Sequence, residues 1–241
     1  MNQGSHIFHK FDEELEGLRS RVLAMGGLVE EQVADALKAF VESDSLLAER
    51  VSERDHEVNG MEVLLDEECA RILALRQPAA GDLRLIFAII KTITDLERIG
   101  DQADRIAKVA TDLSHLNTPR DQVLSIRHLG EQVRAMFREA LDAFARMDVE
   151  GALQVIKLDV TNDREYRSIL RQLITYMMED PRAIRGALDV VWAARALERI
   201  GDHTKNICEY LVYMVRGKDV RHTSHDDAAP ELDDSDADQP N

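Results

Sequence analysis

The sequence is poor in cysteine, in aromatic residues and in uninterrupted apolar segments. Its two cysteines, Cys69 and Cys208, cannot form a disulfide framework, and their aliphatic surroundings favour small buried side chains in a reducing compartment. No apolar run approaches the roughly 18 residues that a membrane-spanning helix requires. The N-terminus has no basic segment followed by an apolar one, so the sequence predicts no secretory signal and a cytoplasmic protein.

Positive charge is also scarce. The 241 residues include 30 Lys and Arg against 46 Asp and Glu, which gives a net charge of −16, and only 5% are aromatic. Because a phosphate backbone attracts clustered Lys and Arg, this composition argues against direct nucleic-acid binding. Part of the acidity lies in residues 223–241, which carry seven Asp or Glu and no Lys or Arg. We therefore expect residues 218–241 to form an acidic, disordered tail.

Helical periodicity dominates the rest of the chain, and the period-two alternation typical of strands is not sustained anywhere. Apolar residues recur at steps of three and four in six stripes, over 15–40, 58–75, 83–113, 123–144, 155–178 and 184–215. Turn residues separate them at 78–81, at 117–119 and at Asp180-Pro181, which is typical of an N-cap followed by proline. This pattern predicts an all-α fold of six long antiparallel helices.

The six helices form two copies of a three-helix unit. The segment Leu-Glu-Arg-Ile-Gly-Asp occurs at residues 96–101 and again at 197–202, 101 residues further on. Each copy lies in a helix that follows a proline-containing turn. We interpret this as an internal duplication, with a first three-helix repeat at 1–117 and a second at 118–217.

The repeated segment carries a pair of carboxylates. Glu97 and Asp101 are four residues apart and share one helix face, as do their counterparts Glu198 and Asp202. The simplest interpretation is a solvated acidic face that nearby cations such as Arg105 balance. On that interpretation the carboxylates lie on the outside of the bundle.

The helix before each motif offers a second interpretation. At about 1.5 Å per residue, its own polar pair lies at the same height as the motif across the intervening turn. These facing residues are Asp55 and Asn59 in the first half, and Asp159 and Asp163 in the second. Converging carboxylates are costly unless a cation neutralises them, and oxygen-only ligands suit iron, manganese, magnesium or calcium. The residues alone leave both interpretations open.

Four further positions carry expectations about packing. Gly100 and Gly201 lie in mid-helix, where glycine costs stability, so we expect another backbone or an ion to approach them closely. His203 has glutamine as its counterpart in the first half, so we expect it at the surface or beside the metal ligands without binding the ion itself. Trp192 lies in an apolar stripe, and we expect it in the core.

Several segments together resemble the PhoU family of phosphate-transport regulators. In the first half they are residues 61–63, 76–78, 82–84 and 95–101; in the second they are 163–166, 176–181, 195–203 and 215–222. The resemblance extends over about residues 8–222 and leaves out the acidic tail.

The resemblance implies a homodimer of chains that each contain two three-helix bundles. It also implies metal ions, in some members iron or zinc clusters, while the oxygen ligands keep manganese and magnesium as candidates. The implied ligands are Glu97, Asp101, Glu198 and Asp202, with Asp55, Asn59, Asp159 and Asp163 as their facing partners. Asn59 stands where a carboxylate is expected, which lowers the charge of the first site.

The function that the resemblance implies is that of a regulatory adaptor and not of an enzyme. Such a protein lowers phosphate uptake and the phosphate-starvation response by linking the ATPase subunit of a phosphate ABC transporter to a phosphate-sensing histidine kinase. It meets the membrane only through these partners. Two alternatives are a carboxylate-bridged metalloenzyme with redox or hydrolytic activity, and a metal-free helical scaffold. The Glu-x-x-His signature of di-iron bundles is absent from the repeated motif.

Overall fold

The computed structural model describes residues 3–113 and 120–218. These ranges contain six long helices and one short 3₁₀ helix. The helices are α1 (Gln3–Glu42), α2 (Ser45–Arg76), α3 (Ala80–Leu113), α4 (Arg120–Arg146), α5 (Val149–Glu179) and α6 (Ile184–Arg216), with the 3₁₀ turn at Pro181–Ala183. The predicted break at 117–119 and the predicted acidic tail beyond residue 218 lie outside the described residues.

The predicted all-α fold of two three-helix bundles is confirmed. Helices α1, α2 and α3 pack on one another, as do α4, α5 and α6. The two bundles also pack together, through a long antiparallel α3–α6 contact and a shorter α1–α4 contact. One continuous apolar core therefore runs through both halves. None of the described helices is long and apolar enough to cross a membrane.

Two aspartates set where α2 and α5 begin. Asp44 accepts a hydrogen bond from the backbone N–H of Leu47, and Asp148 accepts the corresponding bond from Gly151. The residue before each aspartate, Ser43 or Met147, has a φ of 54°. These turns are short because each aspartate satisfies an orphan N–H of the new helix. Consequently α2 and α5 begin well before their apolar stripes at 58 and 155.

The turn before α6 follows the sequence prediction with one addition. Asp180 accepts from the backbone N–H of Arg182 at 3.0 Å, and Pro181 takes the first position of the new element. That element is a single 3₁₀ turn, which continues directly into α6 at Ile184.

Two glycines allow α1 and α4 to cross closely. A Cβ atom added to Gly130 on α4 would overlap the side chain of Leu37 on α1. A Cβ atom added to Gly26 on α1 would overlap Leu141 on α4 in the same way. The contact is therefore reciprocal about the pseudo-twofold relation between the halves, and each leucine fills the space that a glycine leaves.

Substituting Gly130 with alanine tests this contact. We expect Gly130→Ala to destabilise the protein by about 1–2 kcal/mol, because the crowding of Leu37 outweighs the higher helix propensity of alanine. A Cβ atom at Gly27 would meet nothing within 4 Å, so Gly27→Ala is the matched control, with an expected gain of about 0.5–1 kcal/mol. Urea unfolding measures the free energy of unfolding of both variants. Equal stabilisation by the two substitutions would contradict the close crossing of α1 and α4.

Candidate functional site

The first acidic cluster lies where α2 packs against the middle of α3. Asp55 is 9% exposed, and its Oδ1 atom would lie 3.4 Å from a Cβ atom placed on Gly100. Asn59, one turn further along α2, donates from its Nδ2 to Asp55 Oδ2 at 3.2 Å. Glu97 and Asp101 extend from α3 on either side of Gly100 and are half-buried. The missing side chain at Gly100 therefore lets a buried carboxylate lie against α3.

The carboxylates of this cluster repel one another. Burial raises the pKa of Glu97, and the negative charges of Asp101 and Glu62 raise it further. Burial and the charge of Asp55 likewise raise the pKa of Asp101. Among the described residues, no Lys or Arg lies within ion-pair distance of Glu97 or Asp101. From beyond that distance Arg98 lowers the pKa of Glu97, and Arg105 and Lys108 lower the pKa of Asp101. The negative charge of the cluster is therefore only partly balanced.

A buried glutamine from α1 joins the back of the cluster. Gln32 is fully buried, and its Nε2 atom donates to Asp55 Oδ1 at 3.2 Å and to the backbone oxygen of Gly100 at 3.4 Å. The same amide lies 3.4 Å from the backbone oxygen of Val51. Gln32 thus holds one Asp55 oxygen against α3 and leaves the other on the side of Asn59.

The second acidic cluster repeats this arrangement where α5 meets α6. Asp159 is 5% exposed, and its Oδ1 atom would lie 3.3 Å from a Cβ atom on Gly201. Its other oxygen lies 3.4 Å from Lys205 Nζ. Asn162 is also buried and lies against the sulfur of Met136 on α4. Met136 occupies the position on α4 that Gln32 occupies on α1.

The electrostatics of this cluster differ because cations reach it. Burial raises the pKa of Asp159, whereas the Lys205 ammonium opposes that rise. Burial and the charge of Asp202 raise the pKa of Glu198, which forms an ion pair with Arg195 on its own helix. The second cluster therefore has ion pairs to Glu198 and Asp159, whereas none is formed by Glu97, Asp101 or Asp55 among the described residues.

The structure brings the sequence-predicted residues together in two groups. Electrostatic coupling joins Asp55 to Glu97 and to Asp101, and it joins Asp163 to Asp159 and to Glu198. Asp202 is coupled to Asp159 and to Glu198. The predicted alignment of the facing pairs therefore occurs in both halves.

Sequence reasoning missed three members of these groups. Glu62 interacts with Glu97 and Asp101, and the regular spacing of 55, 59 and 62 along one face of α2 could have indicated it. Asn162, three residues after Asp159, carries the same signal on α5. Gln32 carried no such signal, because it comes from α1 and its position depends on how the bundle packs.

Several expectations about single residues were wrong. His203 is buried and not near the surface: its Nδ1 atom lies 2.6 Å from Asp95 Oδ1 on α3. Trp192 is 65% exposed and not in the core. Side chains and not another backbone lie nearest to the two glycines: Gln32 and Asp55 at Gly100, and Asp159 at Gly201. The motif carboxylates are partly buried and partly exposed, which leaves both interpretations of the acidic pairs open.

The donor chemistry of both groups fits a hard cation. All the donors are carboxylate or amide oxygens, which iron, manganese, magnesium and calcium accept. Two oxygens, Oδ1 of Asn59 and Oε2 of Glu198, are buried without a hydrogen-bond partner in the described part of the chain. In the geometry described for 3–113 and 120–218, no three His, Cys, Asp or Glu side chains are arranged to hold one ion. A bound ion would therefore require side-chain rotation.

Fold and site together define a class: a duplicated all-helical protein with one acidic cluster in each half. The chain matches the PhoU domain family at residues 22–110 and 126–211. It belongs to the PhoU family.

Relatives and a solved structure agree over most of the chain. It is 57% identical over 217 residues to the phosphate-specific transport system accessory protein PhoU homolog of Pseudomonas putida, covering 90% of this chain and 85% of that protein. It is 47% identical over 240 residues to the phosphate-specific transport system accessory protein PhoU of Escherichia coli, covering 99% of both. The crystal structure of PhoU from Pseudomonas aeruginosa superposes with a TM-score of 0.84 at 55% identity, covering 86% of this chain and all of that one.

The charge of the first cluster predicts a pH-dependent gain of stability on neutralising Glu97. A carboxyl whose pKa is raised in the folded state binds more protons when folded, so stability falls as pH rises from its ordinary pKa through the folded value. We expect metal-free Glu97→Gln to be more stable than the parent at pH 7, with the difference vanishing below about pH 4, and solvent screening keeps the gain under about 1 kcal/mol.

Urea unfolding in the presence of a chelator, from pH 4 to pH 8, measures this effect. Glu57→Gln removes the same charge from an exposed position on α2 and serves as the control, with little expected change. A Glu97→Gln protein less stable than the parent at pH 7 would show that the glutamate is favourably paired.

Proposed function

We propose that this protein is a metal-binding regulatory adaptor that lowers phosphate uptake and represses the phosphate-starvation response. In this proposal it works in the cytoplasm as a homodimer. It contacts the ATPase subunit of a phosphate ABC transporter and the phosphate-sensing histidine kinase, and it catalyses no reaction.

The observation that carries the proposal is the match to relatives whose names describe accessory proteins of phosphate-specific transport. The match to the E. coli protein extends over nearly the whole of both chains, so both acidic clusters lie within it. The duplicated helical fold supports the same proposal, because it offers long exposed helix faces for partners and places its charged clusters on two equivalent hairpins.

The metal has a defined structural task in this proposal. Glu97 and Asp101, with Asp55 and Asn59 facing them, would hold an ion in the first half. Glu198 and Asp202, with Asp159 and Asp163, would hold one in the second. When bound, such an ion supplies positive charge that fixes each helix hairpin. The residues themselves provide the oxygen ligands, and the glycines allow the buried aspartates to approach the motif helix.

The two clusters should differ in affinity for the ion. Asn59 gives the first cluster an amide where the second has the carboxylate of Asp163, but Lys205 already neutralises part of the second. Removing that cation should therefore strengthen the second site. We expect Lys205→Gln to tighten binding of Mn²⁺ or Mg²⁺ in the second half, as titration calorimetry would measure, whereas unchanged affinity would place the ion elsewhere.

Removing the motif carboxylates of the second half tests the metal proposal directly. We expect Glu198→Ala/Asp202→Ala to bind less iron or manganese and to lose the thermal stabilisation that added metal gives the parent. An ion at 100 times its Kd stabilises a folded protein by about 2.7 kcal/mol, so the loss should be readily visible in Tm. Elemental analysis and thermal unfolding with and without metal give the two readouts.

The matched control is Glu53→Ala/Glu57→Ala, which removes an exposed acidic pair at the same spacing on α2. It should leave metal content and the metal-dependent shift in Tm unchanged. Equal metal content in both double variants would overturn the metal proposal and favour a scaffold whose acidic faces are only solvated. Turnover of oxygen or of a phosphoester by the metal-loaded parent would instead favour the enzyme alternative.

Capture of partners from cells grown with and without phosphate tests the adaptor role. We expect the transporter ATPase and the histidine kinase to be recovered with the parent protein. Recovery of neither under both conditions would overturn the adaptor proposal, whatever the metal content.

A further inference from the structure

A cleft with mainly apolar walls and cationic side chains around it lies between α3 and α6. Its volume is about 350 Å³, and all four charged residues that line it are cationic: Arg105 and Lys108 on α3, and Arg195 and Arg199 on α6. Trp192, 65% exposed, forms one wall. In a chain of net charge −16, four cationic side chains around one cleft form a local concentration of positive charge.

Each of the four cations has an acidic neighbour on its own helix, but only two of them form ion pairs with it. Lys108 and Arg195 each form an ion pair with an acidic residue of their own helix. Arg105 donates only to the neutral Gln102 Oε1, at 3.3 Å. Within 3–113 and 120–218, neither Arg105 nor Arg199 lies within ion-pair distance of an acidic side chain. Arg105 and Arg199 are coupled to Asp101 and Glu198 only beyond ion-pair distance. Their guanidinium groups therefore keep hydrogen-bond donors that an anion could use.

The duplication shows what fills the equivalent cleft at the other end of the α3–α6 contact. There the carboxylate of Asp95 lies 2.6 Å from His203 Nδ1 and accepts from Asn206 Nδ2 at 3.4 Å. Lys91 covers the ring of Tyr210, with its Nζ atom 5.3 Å from the ring centre. That end is therefore closed, with a carboxylate at its centre.

The open cleft lacks this carboxylate. By the repeat, Ala196 stands in the position of Asp95, while Gln102 and Arg105 stand in the positions of His203 and Asn206. Gln102 and Arg105 are still hydrogen-bond donors around the position of the missing carboxylate, and Arg105 is in addition cationic. A carboxylate supplied from elsewhere would complete the open end as Asp95 completes the closed one.

The chain itself supplies a segment of the required chemistry. Residues 223–241 carry seven carboxylates without a single Lys or Arg, and they follow α6 closely. The middle of the cleft lies roughly 30 Å along α6 from its C-terminal end, at about 1.5 Å per residue. About ten extended residues cover that distance, at about 3.3 Å per residue, so carboxylates from Glu231 onward can reach the cleft.

We propose that the acidic segment 231–238 docks in the α3–α6 cleft of its own chain, with its carboxylates against Arg105 and Arg199. In this state the tail covers Trp192 and blocks the cleft to other acidic ligands. High salt or a competing acidic segment releases it, because the contact is largely electrostatic. This proposal does not depend on the regulatory function proposed above.

The test uses Trp192, which is the only tryptophan of the chain and therefore an intrinsic reporter. In a full-length tail variant, Glu231→Gln, Asp233→Asn, Asp234→Asn, Asp236→Asn and Asp238→Asn remove the charges. We expect acrylamide to quench the parent about half as strongly as this variant at low salt, and the difference to vanish near 1 M salt, where the Debye length is about 3 Å.

Two further variants assign the effect to the cleft. Trp192 of Arg105→Gln/Arg199→Gln should be quenched as strongly as in the tail variant. Arg164→Gln/Arg171→Gln removes two exposed arginines of α5 and should behave as the parent. Circular dichroism confirms that each variant is folded. Equal quenching of the parent and the tail variant, or protection that persists in Arg105→Gln/Arg199→Gln, would overturn the proposal.

Zero-length carbodiimide cross-linking gives a readout that does not rely on fluorescence. It should join Lys108, whose side chain is 68% exposed, to carboxylates of the tail in the full-length parent at low salt. The same bond should be lost in Arg105→Gln/Arg199→Gln, where Lys108 is unchanged but the tail is not held. Tail carboxylates joined equally to exposed lysines outside the cleft would contradict docking.

Discussion

The distance between the second and third helix of each half governs the rest of this structure. At Gly100 and Gly201 the third helix has no side chain, and an aspartate carboxylate from the neighbouring helix lies against that space. At Gly100 the amide of Gln32 from α1 approaches the same space. A larger residue would separate the hairpin helices and move Asp55 and Asp159 away from the motif carboxylates. Close approach thus produces both the tight packing and the concentrated negative charge. Glycine in mid-helix destabilises the helix, and the close approach of the neighbouring helix requires it.

The two halves use this common arrangement differently. In the first, a glutamine from α1 organises the buried aspartate, and the cluster keeps its negative charge. In the second, a lysine from the motif helix reaches across to the equivalent aspartate. The α3–α6 contact has diverged in the same way, because one end is closed by Asp95 and His203 whereas the other is an open cationic cleft. Duplication supplied two copies of one frame, and substitution at a few positions gave them different electrostatics.

The sequence predicted those features that follow from a single helix or a single hairpin. The apolar stripes predicted the helices. The repeated motif and the turn before it predicted that Asp55 and Asp159 lie opposite the acidic pairs, because both helices of a hairpin rise by the same amount per residue. Features that depend on contacts between the halves were not accessible. His203 is buried because Asp95 lies opposite it across the α3–α6 contact, and Trp192 is exposed because that contact leaves its part of the apolar stripe uncovered.

The core shared by the two bundles determines how the two halves would behave if the chain were cut between them. Helices α3 and α6 each turn apolar residues toward the other half, and α1 and α4 interlock through their glycines and leucines. Cutting the backbone between the halves would therefore leave two fragments, each with an uncovered stripe whose best complement is the other fragment. Such fragments are expected to reassemble when mixed, and either one alone is expected to self-associate, because exposed apolar stripes of this length are unfavourable in water.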